Sequence, residues 1–208
     1  MSYQICISGA AKGASVEEGK LLAYTLGQSV AKAGHMLLTG ATTGLPDYAA
    51  QGAKSENGQS VGISPAASRV EHVKKYRLPT GCYDVLLFTG LNYVGRDSLL
   101  IASCDAVISI GGRLGTLHEF TIAMEMDKPV GFLMGAGGVS TEIADILRAA
   151  GRPKSESVIF DTDANSLVKR ITAMLDALRK ADRALYHEAA KCNVREVLLS
   201  SGRAKPNS

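Results

Sequence analysis

No apolar run in this 208-residue chain is longer than a β-strand, so nothing in it reads as a membrane-spanning helix. Residues 1–8 lack the basic flank and long apolar region of a secretory signal, and the expected location is the cytoplasm. Charge of one sign is missing too. The formal net charge is +3 with acids and bases interspersed, which gives no general argument for nucleic acid or a membrane surface as partner. The four cysteines, Cys6, Cys82, Cys104 and Cys192, lie far apart without the paired spacing of a metal site, and three sit in or beside apolar runs. Reduced thiols are expected, with no metal site and no disulfide. Internal repeats and low-complexity segments are absent as well.

What is present is a strong alternation of strand and helix. An apolar content of 46% over this length supports one substantial core, hence a single domain over residues 1–183 with a C-terminal helical extension and tail over 184–208. Strand-like runs occur at Tyr3–Ser8, Met36–Thr39, Ser60–Ser64, Asp84–Thr89, Ala106–Ile110, Pro129–Met134 and Val158–Phe160. Helical spacing links Leu22, Leu26 and Val30, and Ser15 with Glu18 has the form of a capping box. Further helices are expected from Leu45 to about Ser55, Asn92 to Ser103, Leu117 onward, Ser140 to Ala150 and Leu167 to Leu178, with a last one around Val194 to Leu198. The basic stretch Ala66–Pro79, with His72 in its middle, reads as a solvated loop. Such alternation predicts an α/β fold, a Rossmann-like, doubly wound, mostly parallel sheet of about seven strands with helices on both faces.

Ligands of these sheets sit at the carboxyl ends of the strands, beside the topological switch point. Four glycine turns, after Ser8, Thr39, Ile110 and Met134, fall at such ends. The fifth strand with Gly111, Gly112, Arg113, Gly115, Thr116 and Glu119 is the most informative of them. A strand, a glycine turn and a helix direct free backbone N–H groups and a positive helix end at one point, where an anion is stabilised. Glu119 falls one turn inside the helix, on the face shared with that loop. A carboxylate beside an anion cradle is unfavourable by itself, and that marks it as a candidate working group; a plain helix salt bridge is the alternative.

The segments Gly111-Gly-Arg-Leu-Gly-Thr-Leu-His-Glu119, Gly95-Arg-Asp97 and Thr39-Gly-Ala-Thr-Thr-Gly-Leu45 resemble the LOG family, formerly called lysine-decarboxylase-like. The likeness spans about Tyr3 to Phe160. It implies a Rossmann-like nucleotide-binding fold, usually homodimeric, whose characterised enzymes hydrolyse the N-glycosidic bond of nucleoside 5′-monophosphates to free base and ribose 5-phosphate without a cofactor. By the same resemblance Glu119 and Arg96 match the catalytic pair. Gly111, Gly112, Gly115 and Thr116 match the phosphate loop, with Arg113 inside it, and Gly9, Gly13, Gly40 and Gly44 match the turns that line the nucleotide. Three departures stand out: Ile110 where the plant-type enzymes have proline, two residues between the glycine pair and Gly115-Thr116, and Asp97 after the arginine. The longer spacing is more similar to the bacterial branch that contains molybdenum-cofactor carrier proteins and uncharacterised nucleotide-binding members.

The expected partner is thus a nucleoside monophosphate or a related phosphorylated small molecule, with no nucleic acid and no membrane. Two functions stay open: a phosphoribohydrolase, and a non-catalytic binder or carrier of a nucleotide or phosphorylated cofactor. In the enzymatic reading Arg96 tethers the nucleotide and keeps Glu119 ionised by charge pairing; in the plain reading it is an ion-pair partner of Asp97 or Glu119. Lys12 is a weak phosphate candidate, His118 is expected at the helix surface, and His35 and His187 have no assigned role. Cys104 has no neighbouring histidine in sequence and is not read as a nucleophile. Hydride transfer from a dinucleotide is disfavoured, because the first turn lacks the Gly-x-Gly-x-x-Gly spacing.

Overall fold

A computed structural model describes residues 1–152 and 156–181. The expected helix around Val194 to Leu198, the tail, His187 and Cys192 lie outside the described residues.

Seven strands form one sheet in the order β4-β3-β2-β1-β5-β6-β7, every neighbouring pair parallel. They are β1 (Gln4–Gly9), β2 (Met36–Thr39), β3 (Ser60–Ser64), β4 (Val85–Phe88), β5 (Ala106–Ile110), β6 (Val130–Leu133) and β7 (Val158–Asp161). The order reverses between β1 and β5, where Ser8 faces Ser109 and Gly9 faces Ile110 in register. That is the switch point, and loops leaving adjacent strands in opposite directions open a crevice there.

Helices α1 (Ala14–Lys32), α2 (Leu45–Ser55) and α7 (Ala164–Ala181) cover one face, packing Leu26, Val30, Leu45, Leu167 and Ile171 on Ile5, Ile7, Ile108 and Ile110. Helices α4 (Asn92–Ala102), α5 (Leu114–Glu125) and α6 (Ile143–Ala149) cover the other, packing Leu100, Ile101, Phe120 and Leu147 on Cys6, Leu38, Val107 and Phe132. The period-2 alternation of β1 explains the division: Ile5 and Ile7 point to one layer, Cys6 and Ser8 to the other.

Three local expectations are corrected. Residues 66–79 are not a plain loop, since Arg69–Lys74 forms α3, capped by the Ser68 hydroxyl accepting from the Glu71 N–H. His72 is fully buried there, its Nδ1 2.8 Å from Ser64 Oγ and its Nε2 3.0 Å from the Pro79 carbonyl. The Ser15–Glu18 capping box does not form. Gly13, with φ of 96°, is the N-cap of α1, and Ser15 packs beside Gly111. Ser140 belongs to a 3-10 turn, Gly138–Thr141, and α6 starts later at Ile143. His35, too, has a structural place: its Nε2 lies 2.8 Å from Thr172 Oγ1, tying the end of α1 to α7. Cys6, Cys82 and Cys104 are free thiols, and the Cys104 thiol beside Cys6, together with burial, holds Cys6 well above its ordinary thiol range.

Candidate functional site

A cleft of about 180 Å³ opens at the switch point, lined by the ends of β1 and β2 and the first turns of α4 and α5. Of the residues named from sequence it brings together Gly9, Gly40, Arg96, Gly115, Thr116 and Glu119. Gly13, Gly44, Gly111, Gly112 and Arg113 are not among its lining residues. They shape the turns around it. The carbonyl of Gly112 accepts from the Val139 N–H at 2.9 Å and that of Gly111 from the Ser140 hydroxyl at 2.6 Å, so the loop after β6 fixes the glycine turn from behind. Gly112 adopts φ of 95°, and a Cβ there would lie 2.2 Å from Thr116 Oγ1. Only glycine admits both the conformation and the close approach of the threonine.

Helix α5 begins at Leu114, three residues before the expected start, which places Gly115 and Thr116 in its first turn. The first N–H bonded back into the helix is that of Leu117, to the Arg113 carbonyl. The amides before it point out of the helix end, where the peptide dipoles favour an anion.

Glu119 is 9% exposed and accepts a short hydrogen bond from the Ser8 hydroxyl. Sequence reasoning did not single out Ser8, although its position at the carboxyl end of β1, directly before Gly9, is the signal that could have found it. Arg96 is 3% exposed, and a Cβ on Gly40 would lie 1.5 Å from its Nη1, so the guanidinium rests directly on the Gly40 backbone. Its other side meets Tyr93, whose ring centroid is 5.8 Å from Cζ. Arg96 Nε stands 3.3 Å from Asp97 Oδ1, and Asp97 Oδ2 lies 2.9 Å from His118 Nδ1. Asp97 is itself buried, and neither it nor Tyr93 was a candidate from sequence. Among the described residues no acceptor completes a hydrogen bond with Arg96 Nε or Nη1.

Burial, set against the neighbouring charges, explains the protonation of Glu119. Burial pushes its carboxyl from 4.5 up to about 7; Arg96 opposes the rise, Asp97 adds to it, and the Ser8 hydrogen bond and His118 oppose it. Arg96 acts in the expected direction, favouring the carboxylate, yet the carboxyl titrates near neutrality. Loss of solvation outweighs the arginine, because Asp97 already takes part of its charge.

A stability consequence follows. Glu119 binds its proton more tightly in the fold than in the unfolded chain, so stability is full below pH 4.5 and declines as pH rises through about 7. A shift of this size corresponds to roughly 3 kcal/mol. Urea denaturation of Glu119→Gln should match wild type near pH 4.5 and exceed its stability at pH 8 by up to about 3 kcal/mol. A gap independent of pH would refute the buried, proton-holding carboxyl.

Among the described residues no cluster of three or more His, Cys, Asp or Glu is arranged to hold a metal ion, and no helix is long and apolar enough to cross a membrane. The groups that converge here are suited to a phosphorylated molecule: helix-end amides and a hydroxyl for the anion, a guanidinium with Nη1 free of any hydrogen bond among the described residues, and a carboxyl poised to exchange a proton near neutrality.

Known proteins share parts of this sequence and fold. An uncharacterized protein of Archaeoglobus fulgidus is 35% identical over 130 residues, 62% of this chain and 79% of its own length. The X-ray structure of TM1055 superimposes with a TM-score of 0.71 at 26% identity, covering 83% of this chain and 99% of that one. The molybdenum cofactor binding protein of Rippkaea orientalis does so with 0.67 at 27% identity, covering 84% and 98%. The pattern of the SLOG cluster4 family matches residues 2–168. That match spans most of the chain, and the chain belongs to the SLOG cluster4 family.

Proposed function

We propose that the protein hydrolyses the N-glycosidic bond of a nucleoside 5′-monophosphate, releasing the base and ribose 5-phosphate. One observation carries the reading: a buried arginine whose Nη1 has no acceptor among the described residues, and whose Nε has only the 3.3 Å ionic contact with Asp97, sits in the same cleft as a buried carboxyl that titrates near neutrality. A buried donor without an acceptor costs about 1–3 kcal/mol, a penalty that a ligand oxygen removes on binding.

In this mechanism the phosphate lies at the α5 end, held by the first-turn amides and the Thr116 hydroxyl, and Arg96 donates to ligand oxygens. Cleavage of the bond between C1′ and the base nitrogen builds positive charge on the ribose, which an ionised Glu119 stabilises. The same carboxylate takes a proton from the attacking water, whose oxygen bonds to C1′. The base departs with the bonding electron pair and is protonated from solvent at the cleft mouth. Ser8 holds the carboxyl in place throughout.

Incubation with AMP, followed by separation of adenine from ribose 5-phosphate, tests the proposal. Release of both products in equal amounts supports it. Because the base form of Glu119 does the work, kcat/KM should fall about tenfold per unit as pH drops below about 7. The second ionisation of the phosphate, near 6, adds a further break below that. A profile flat from pH 5 to 8 would remove Glu119 from the proton transfer.

The Rippkaea orientalis relative supports a second reading, a binder of a phosphorylated cofactor that performs no chemistry. Tight retention of AMP or of a phosphorylated pterin, with no base released by wild type or by Glu119→Ala, would select it.

A further inference from the structure

The proposed reaction needs Glu119 and Arg96 but gives no task to Asp97, which pairs with the arginine. Asp97 is 5% exposed and places a second acidic side chain in a site that already holds Glu119. A second buried carboxylate beside the first is unfavourable unless it is tied to cations or donors. It is tied on both sides: Oδ1 faces Arg96 Nε at 3.3 Å, and Oδ2 accepts from His118 Nδ1 at 2.9 Å. His118 is half-exposed, so the row runs from solvent through His118, Asp97 and Arg96 to the interior of the cleft.

We propose that Asp97 is a positioning residue that draws the Arg96 charge toward α4 and away from Glu119, and so sets the pH at which Glu119 becomes ionised. The inference rests on Glu119 being the working group of this cleft, as in the proposed function. The ionisable and polar groups facing Glu119 are few. Ser8 and Cys6 approach from β1, Arg96 and Asp97 from α4, and His118 from its own helix, while Cys104 is engaged with Cys6. Ser8 is neutral and Cys6 is held as a thiol, which leaves Arg96 and Asp97 as the opposed pair, with His118 completing the second oxygen of Asp97.

Opposed charges make opposed predictions. With Asp97 replaced by Asn the shape and the acceptor for His118 remain, and the unshared arginine favours the carboxylate, so the Glu119 midpoint moves down. With Arg96 replaced by Gln the midpoint moves up. A nearby ionic group shifts a carboxyl by about one pH unit or more. The side-chain carboxyl of Glu119 can be followed by carbon-13 NMR across pH 5 to 9 in the full chain without substrate, its signal assigned by its loss in Glu119→Gln. The expected result is a downward shift of about one unit in Asp97→Asn, an upward shift in Arg96→Gln, and a midpoint between the two in the double variant. Asp97→Ser gives the same downward shift should the asparagine disturb folding. Shifts of the same sign in both single variants, as general loosening of the site would produce, overturn the proposal, and so does an unmoved midpoint in Asp97→Asn. The titration is read without turnover. A protein that binds AMP and releases no base would sink the proposed reaction and leave this result standing.

Discussion

Glu119→Gln should reduce the release of adenine from AMP on the order of 10³-fold, the usual worth of a positioned proton acceptor. The substitution is nearly isosteric. Its amide oxygen can still accept from the Ser8 hydroxyl, and the helix-end amides, Thr116 and Arg96 are untouched. Binding should persist, so the loss belongs in kcat and not in KM. The neutral amide provides neither the charge that steadies a ribosyl cation nor a site for the water proton. Retention of more than a tenth of the rate would show that another group performs the transfer. A rise in KM with kcat unchanged would show that the carboxyl serves binding alone.

The fold was legible wherever a short-range pattern decides it. The β-branched run Ala106–Ile110 ends at two glycines, and both neighbours in space are strands with the same carboxyl-end turns, so the crevice could be located from the order of elements. Glu119 could be found for the same reason, since one helical turn separates it from the glycine loop. Its partners could not. Ser8 is 111 residues away in sequence, and only the pairing of β1 with β5 brings the two together. His72 and His35 were opaque for a related cause: their partners across the fold decide whether a histidine is solvated or buried. At the start of α1 local chemistry misled, because Ser15 and Glu18 carry the letters of a capping box while Gly13 already provides the cap. Asp97 was visible as a departure from the family pattern, but its meaning depends on Arg96 and His118 lying on either side of it.

A second large effect lies far from the chemistry. Gly27→Ala should destabilise the fold by about 3 kcal/mol, at the upper end of what overpacking a core costs. Helix propensity alone predicts the reverse, since alanine is favoured over glycine in a helix interior by roughly 1 kcal/mol. Contact decides the sign. A Cβ on Gly27 of α1 would lie 1.8 Å from the Ala49 carbonyl oxygen of α2, and one on Gly52 of α2 would lie 1.9 Å from the Tyr24 carbonyl oxygen of α1. Both obstacles are backbone atoms of a helix, so no rotamer change relieves them and the two helices must move apart. Separation would loosen Leu26, Val30, Leu45 and Ala49, all fully buried between the helices and the sheet. It would also shift the first turn of α2, where Pro46 lines the cleft, so weaker AMP binding should accompany the loss of stability. Gly52→Ala meets the same obstruction from the other side, and one displacement accommodates both. The double variant should therefore cost less than the sum of the two single ones, a coupling readable from urea midpoints. An unchanged or raised midpoint in Gly27→Ala would mean that α1 and α2 do not meet backbone to backbone at these glycines.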